Sequence, residues 1–525
     1  MKSLLNRHSI PMILISLFFA VKALFLAFWV TPLWDIPDET GHFAYVHDIA
    51  EGRGVPLLGE AEIDDDIMRH LKQDANASSM ANWIAQHPPI YHTIAALPLK
   101  IGNVFSNNAD LIYRLPRIVS ALSGALLLLV LFQTLRVVGL DTIRATAIAA
   151  SVGFIPMVSH MSSGTNNDVS LFLFCAFATY FLACYLTQHN LRDAYWCSLW
   201  LAIAGGTKMT AWILLAPMVV IILVELPGPI KSWIKHATGI SILALSVPIA
   251  WMARNIIYFG NPFYVAGHGA RVKLAPLSHN FFDYLHVQPV LEHFILNFYG
   301  LIGWQGTGKG QVVWFQVNGL PRVIFSILIF CLACIFLFYI LWLMYRTFVN
   351  GKPNQTGNSL LSRAGTLIEN NHYSRILTAS VFIVALFLAG YIGMTSYDVP
   401  SLWGKARLTA VSILIFIGIL AIPLILVSPA PIDRIALYGA VLFIFFGSIL
   451  LYQVYLSYAL TGQIRATHGR YFYPVMPALL LSMSIAIMRM RLPALVVAVF
   501  TALLACMELE TYLLQAIPFF HGGAL

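Results

Sequence analysis

Charge is what this chain has least of. Asp, Glu, Lys and Arg make up 10% of its 525 residues, against about 25% in an ordinary soluble domain. With 59% of residues hydrophobic, too little polar surface remains to cover a water-exposed protein of this size. Short alternating segments, the mark of membrane β-barrels, are missing as well. The apolar residues instead run in long stretches such as Ala121–Leu135, Ile376–Met394 and Val411–Val427, and in lipid such a stretch satisfies its own backbone as a helix. Cysteine is sparse: six residues, all in or beside apolar runs, with one CxxC (Cys331, Cys334) inside Ile324–Leu343 and no second pair. That pattern argues for apolar thiols over a metal or redox site. No small-residue cleavage pattern follows the run Ile10–Val30, so it reads as an uncleaved first span. No convincing internal repeat marks the chain as a secondary transporter.

What is present is an all-α polytopic membrane protein. The net charge of +8 comes from basic residues spread along the chain, many flanking apolar runs, as cytoplasmic Lys and Arg do; it does not point to nucleic acid. Placing these residues inside gives a single transmembrane domain over residues 1–525 with about thirteen helices, eleven to fourteen at the limits. Two long loops fall outside, residues 31–114 and 254–322, and the longest cytoplasmic loop is 346–375. No cytoplasmic loop approaches the ~100–150 residues of a folded domain. A nucleotide-sugar enzyme, an ATPase or a kinase would need one, so function is expected at the outer face.

The first external loop opens Trp34-Asp35-Ile36-Pro37-Asp38-Glu39-Thr40-Gly41-His42. Phe43, Val46, Ile49 and Ala50 follow at helical spacing until Gly52 and Gly54 stop the pattern. Asp38 thus stands at the start of a short amphipathic helix along the membrane surface, where position alone favours a helix cap. Its ionised form would also suit a base. The loop closes with His87-Pro88-Pro89-Ile90-Tyr91-His92 and an apolar stretch to about Ile101, read as a juxtamembrane helix. Further on come Arg114-Leu115-Pro116-Arg117, the turn Ser163-Gly164-Thr165-Asn166-Asn167-Asp168, Thr207-Lys208, and Trp251-Met252-Ala253-Arg254-Asn255 with Gly260-Asn261-Pro262. His468-Gly469-Arg470-Tyr471-Phe472-Tyr473-Pro474 follows near the end. Capping is the plainer reading of Asp168 before its apolar run.

The order of these motifs resembles the GT-C membrane glycosyltransferases: the early ones are similar in pattern to the bacterial lipid A aminoarabinose transferases and the protein O-mannosyltransferases, and the Trp251–Pro262 and His468–Pro474 segments resemble uncharacterised bacterial members of that superfamily. The resemblance implies a GT-C-like fold whose large first external loop carries juxtamembrane helices. It also implies a site on the periplasmic side of a bacterial inner membrane. The activity implied is transfer of a sugar from a polyprenyl-phosphate donor to a glycan, glycolipid or protein acceptor. Asp38 matches the acid such enzymes use as catalytic base, and Glu39 its essential neighbour. His87 departs from the pattern, standing where the aminoarabinose transferases usually carry Lys.

The chemistry asks for little. Phosphate is already a good leaving group, so one carboxylate to take the acceptor's proton suffices, whereas a glycosidase needs two opposed carboxyls. Negative charge on the departing phosphate must be stabilised by Lys, Arg or a divalent cation. Candidate phosphate ligands are Lys208, Arg470, Arg254 and Arg117; candidate substrate contacts are His42, His87, Tyr91, Asn167 and Asp168. No resident metal site is read from the sequence and no cofactor is required, a divalent cation being the one such chemistry could use. Expected partners are the lipid-linked sugar, its acceptor and membrane lipid. The competing readings are a flippase or other transporter, a ligase acting on polyprenyl-diphosphate oligosaccharides, and a scaffold without catalysis.

Overall fold

The computed structural model of the protein describes residues 9–72, 74–262, 264, 290–302, 315–316, 320–350, 431–461 and 468–521. Most of the expected second external loop, residues 351–375 of the cytoplasmic loop, and the apolar runs Ile376–Met394 and Val411–Val427 lie outside them. Among the described residues, six helices are long and apolar enough to cross a membrane: Ile10–Val30, Ala109–Val137, Asp168–Gln188, Ile230–Phe259, Ile432–Tyr455 and Ala494–His521. A bent pair, Thr142–Gly153 with Pro156–Ser162, adds a seventh if counted as one span. The chain is therefore a multi-pass, all-α integral membrane protein.

Helix α1 (Ile10–Phe25) runs on into a π-helical turn, Leu26–Val30. The first loop then folds as a layer of its own, containing α2 (Glu39–Ala50), α3 (Asp65–Lys72), α4 (Ile90–Phe105) and α5 (Ala109–Arg114). Within it a two-residue antiparallel ladder pairs Glu62 with Ala81 and Ile63 with Met80. Trp34, Phe43, Val46, Ile63, Ile67, Met68, Tyr91, Ala95 and Leu99 form its core. Helix α4 buries one face there and leaves Ile94, Leu97, Ile101, Val104 and Phe105 exposed, as a helix at a lipid boundary does. Helix α2 departs from expectation. It is buried on nearly every face, including Glu39, His42, Phe43, Tyr45 and Val46, so it is packed inside the layer rather than laid on the membrane.

The main bundle gathers α6 (Arg117–Val137), α7 (Thr142–Gly153), α8 (Pro156–Ser162), α9 (Asp168–Gln188), α10 (Leu191–Gly205), α11 (Trp212–Val224) and α12 (Ile230–Phe259). Later in the chain come α13 (Val290–Tyr299), α14 (Leu320–Asn350), α15 (Pro431–Thr461), α16 (Met476–Arg489), α17 (Ala494–Glu510) and α18 (Ile517–His521). The α7–α8 break follows from Pro156: proline donates no backbone hydrogen bond and disfavours helix in the residue before it. The pair bends there by 65°. Helix α12 corrects a boundary read from sequence. It continues to Phe259, so Arg254 and Asn255 stand on its last turns and not in the loop that follows.

Candidate active site

The site begins with strain. Trp34 and Asp38 both lie in the left-handed region, at φ +72° and +62°, where a non-glycine residue costs on the order of 1–3 kcal/mol and persists only if its surroundings enforce it. The enforcing group is Glu39. Its carboxylate accepts from Trp34 N at 2.8 Å and from Thr165 N at 2.9 Å. It also receives both arms of the Arg117 guanidinium, Nε on Oε1 and Nη2 on Oε2, each at 2.8 Å. Arg117 spends its remaining donors on the carbonyls of Ala27 (2.7 Å), Thr31 (3.0 Å) and Pro32 (2.7 Å). Two of these carbonyls lie in or just after the π-helical turn, at a helix end that leaves its last carbonyls without donors, and Pro32 has no N–H to offer Ala27 O.

This arrangement presents Asp38. Its side chain makes no cap hydrogen bond to α2, so the capping expected from position does not occur. One carboxylate oxygen accepts from Trp83 Nε1 at 3.2 Å and the other from Arg470 Nη2 at 3.1 Å. Asp38 keeps 27% of its side chain exposed, against 1% for Glu39 and 4% for Asp168. Of these three acids it alone can meet a substrate directly.

Arg470 is shared. Its Nε lies 3.5 Å from Asp168 Oδ2, and Lys208 Nζ donates to Asp168 Oδ1 at 2.5 Å. Asp168 opens α9 but its side chain is spent on these cations, while Asn166 Oδ1 takes the Asp168 amide at 3.0 Å. The plain capping reading of Asp168 thus gives way to a bridge between Lys208 and Arg470. Gly469 is required beside Arg470: a Cβ there would come within 2.3 Å of the Phe298 Cα and Cβ. Burial pulls the Arg470 guanidinium toward losing its proton, but Asp168, Tyr471 and Asp38 outweigh it and hold the charge more firmly than usual.

Beside Lys208 stands a histidine group. His42 Nδ1 and His92 Nε2 are 3.0 Å apart, and the His42 and His87 rings stack at 6.4 Å. Burial first, then Lys208, lowers His87 to about 3, and burial with Arg470 lowers His468 to about 3 as well. His42 is lowered by burial and by His92, His87 and the two cations. These imidazoles are therefore neutral near pH 7. His87 Nδ1 and Asn167 Oδ1 are buried with no hydrogen-bond partner, while Asn167 Nδ2 donates to Thr207 O at 3.2 Å.

The fold thus brings Asp38, Glu39, His42, His87, Asn167, Asp168, Lys208 and Arg470 into one end of the bundle. Three expectations change. Arg117 is not placed to meet a donor phosphate, because Glu39 and three carbonyls occupy its donors. Tyr91 is fully buried with its hydroxyl on Ser120 Oγ at 3.1 Å, so it packs the layer. Arg254 donates to Pro56 O at 2.8 Å and lies over the Trp251 ring, clasping the first loop. Trp83 and His468 were not anticipated. Trp83 reaches Asp38 because Asn82 ties its segment to α2 through Gly41 O (3.0 Å), a pairing without a sequence signature. Among the described residues, no group of three or more His, Cys, Asp or Glu side chains is arranged to hold a metal ion.

Residues 86–251, just under a third of the chain, match the family model described as dolichyl-phosphate-mannose-protein mannosyltransferase. The match includes His87, Tyr91, Arg117, Asn167, Asp168 and Lys208. It meets the sequence resemblance to the GT-C membrane glycosyltransferases. No curated protein is similar enough in sequence to count as a relative. Among solved structures, the Saccharomyces cerevisiae protein O-mannosyltransferase complex bound to its sugar donor is 18% identical, with 51% of this chain and 37% of that chain covered and a TM-score of 0.34. ArnT from Cupriavidus metallidurans bound to undecaprenyl phosphate is 14% identical (91% and 77% covered, TM-score 0.36). The apo Archaeoglobus fulgidus oligosaccharyltransferase is 12% identical (98% and 56% covered, TM-score 0.39). The chain thus spans about a third of the length of the yeast protein it matches.

Proposed function

We propose that the protein is a membrane glycosyltransferase that takes its sugar from a polyprenyl-phosphate donor at the periplasmic face of a bacterial inner membrane. The observation that carries this reading is Asp38: a partly exposed carboxylate, held in a strained backbone and bonded to the buried Arg470, which shares the second acid Asp168 with the buried Lys208. The acceptor hydroxyl attacks the anomeric carbon while an Asp38 oxygen takes its proton. The bond from that carbon to the phosphate oxygen breaks, and the electron pair leaves with the polyprenyl phosphate. Lys208 and Arg470 stabilise that charge in a site of low dielectric. An ammonium carries three donors, and Asp168 takes one of those of Lys208. Glu39 and Arg117 act through Asp38 by holding its turn. The neutral imidazole of His87 and the free Asn167 Oδ1 offer contacts to sugar hydroxyls.

The test uses the purified protein in detergent with a panel of polyprenyl-phosphate sugars and a membrane extract as acceptor. Wild type is expected to release polyprenyl phosphate, Asp38→Asn to lose ~100-fold or more, and Arg470→Ala to lose both turnover and donor affinity. Full activity in Asp38→Asn, or no donor consumed, would overturn the reading and turn attention to transport.

A further inference from the structure

Apart from the chemistry above, one ion pair joins the middles of two apolar spans. Lys22 stands in Ile10–Val30 and Glu508 in Ala494–His521. A charge at such depth is costly and is retained when it does something. Lys22 Nζ meets Glu508 Oε1 at 2.8 Å and Oε2 at 2.7 Å, and it donates to Gly153 O at 2.7 Å. Ser159 Oγ joins both partners, donating to Glu508 Oε1 and lying 3.3 Å from Gly153 O.

Gly153 is the last residue of α7, and its carbonyl is one that the Pro156 break leaves without a helical donor. Inside a membrane an unsatisfied carbonyl costs several kcal/mol, so irregular backbone persists there only where protein re-satisfies it. Lys22 supplies the donor and Glu508 balances its charge. Both residues precede π-helical turns, Leu26–Val30 after Lys22 and Thr511–Ala516 after Glu508. Leu26, Val30, Met507, Tyr512 and Ala516 share one buried cluster against which Phe154 packs. The three irregular segments therefore meet around one ion pair.

The residues beyond the break build the site. Ser163 Oγ lies 3.1 Å from Thr31 Oγ1, Thr165 N donates to Glu39, and Asp168 bridges Lys208 and Arg470. We propose that Lys22 and Glu508 are positioning residues for the transfer reaction: they hold the α7–α8 break whose direction carries residues 160–168 into the site. The kinetic part of this inference rests on the glycosyltransferase reading; the structural part does not.

The test compares Lys22→Met, Lys22→Arg and the double variant Lys22→Met/Glu508→Met in the full-length protein. One readout is hydrogen exchange of the amides of residues 163–168; the other is the kcat and donor KM of transfer. Lys22→Met is expected to speed exchange there by ~10-fold or more. It should lower kcat by ~10-fold or more with donor KM within ~3-fold, since small misplacements of reacting groups are costly in rate. Lys22→Arg, which keeps a cationic donor, should restore both. The double variant carries no unpaired charge but leaves Gly153 O without its ammonium, so it should fold yet stay slow and fast-exchanging. Wild-type exchange and kcat in the double variant would overturn the proposal, reducing the pair to a charge staple. Should Lys22→Met fail to fold, the arginine and double variants decide by the same criteria. A wild type without transfer activity would refute the function, while exchange at 163–168 would still decide the positioning role.

Discussion

Replacing Arg117 by Met tests the foundation of the site most directly. The guanidinium has five donors, and the structure spends them on Glu39 and on the carbonyls of Ala27, Thr31 and Pro32. Arg114 still reaches the Ala27 and Thr31 carbonyls, at 2.8 and 2.9 Å, so the main loss falls on Glu39. That carboxylate is 1% exposed and would keep two amides but no counter-charge. Removing one partner of a buried pair costs roughly 3–5 kcal/mol; the two surviving amides favour the lower end, about 3 kcal/mol. At 1.36 kcal/mol per decade, this is on the order of 100-fold in unfolding rate if the pair is broken in the unfolding transition state. The assay is the half-life of the folded species in detergent at one elevated temperature, which suits a protein that unfolds irreversibly. Arg117→Met/Glu39→Leu removes both charges and should recover to within ~10-fold of wild type, because an apolar replacement leaves no stranded ion. A half-life within ~3-fold of wild type for the single variant would refute the argument that this pair underpins the Asp38 turn.

Two further outcomes follow from the same geometry. His87 and His468 are lowered to about 3 by burial and nearby cations, and His42 and His92 shift in the same direction. Unfolded imidazoles take a proton near pH 6.5, so their contribution is complete above that value and is lost as pH falls toward 3, by up to about 1.4 kcal/mol per pH unit for each. Unfolding half-lives measured from pH 7.5 to 5 should shorten steeply below 6.5; a flat profile would contradict their burial as neutral rings. Gly164→Ala would place a Cβ 2.1 Å from Ile36 Cγ1. It should cost about 1–3 kcal/mol as overpacking and loosen the Thr165–Glu39 contact, read as faster unfolding together with faster amide exchange at Thr165.

Much of the architecture could be read from residue order. Long apolar runs with flanking basic residues announced the helices because lipid leaves the backbone no other partner, and Pro88-Pro89 and the apolar stretch after them announced α4. Asp38, Lys208 and Arg470 stood out because each is a charge beside an apolar run, where water cannot be its reason. The tertiary structure decided what no local pattern encodes, namely which charges pair. Asp38 and Arg470 are more than four hundred residues apart, and Arg117 looks no different in sequence from Arg254, yet one is sealed against Glu39 and the other clasps Pro56. Asp168 before an apolar run has the pattern of a cap, and only the approach of Lys208 and Arg470 makes it a bridge. Lys22 could be seen as a charge inside the first span, but its partner Glu508 lies near the other end of the chain. A membrane helix is written in local hydropathy, whereas the partner of a buried charge depends on how the helices pack against one another.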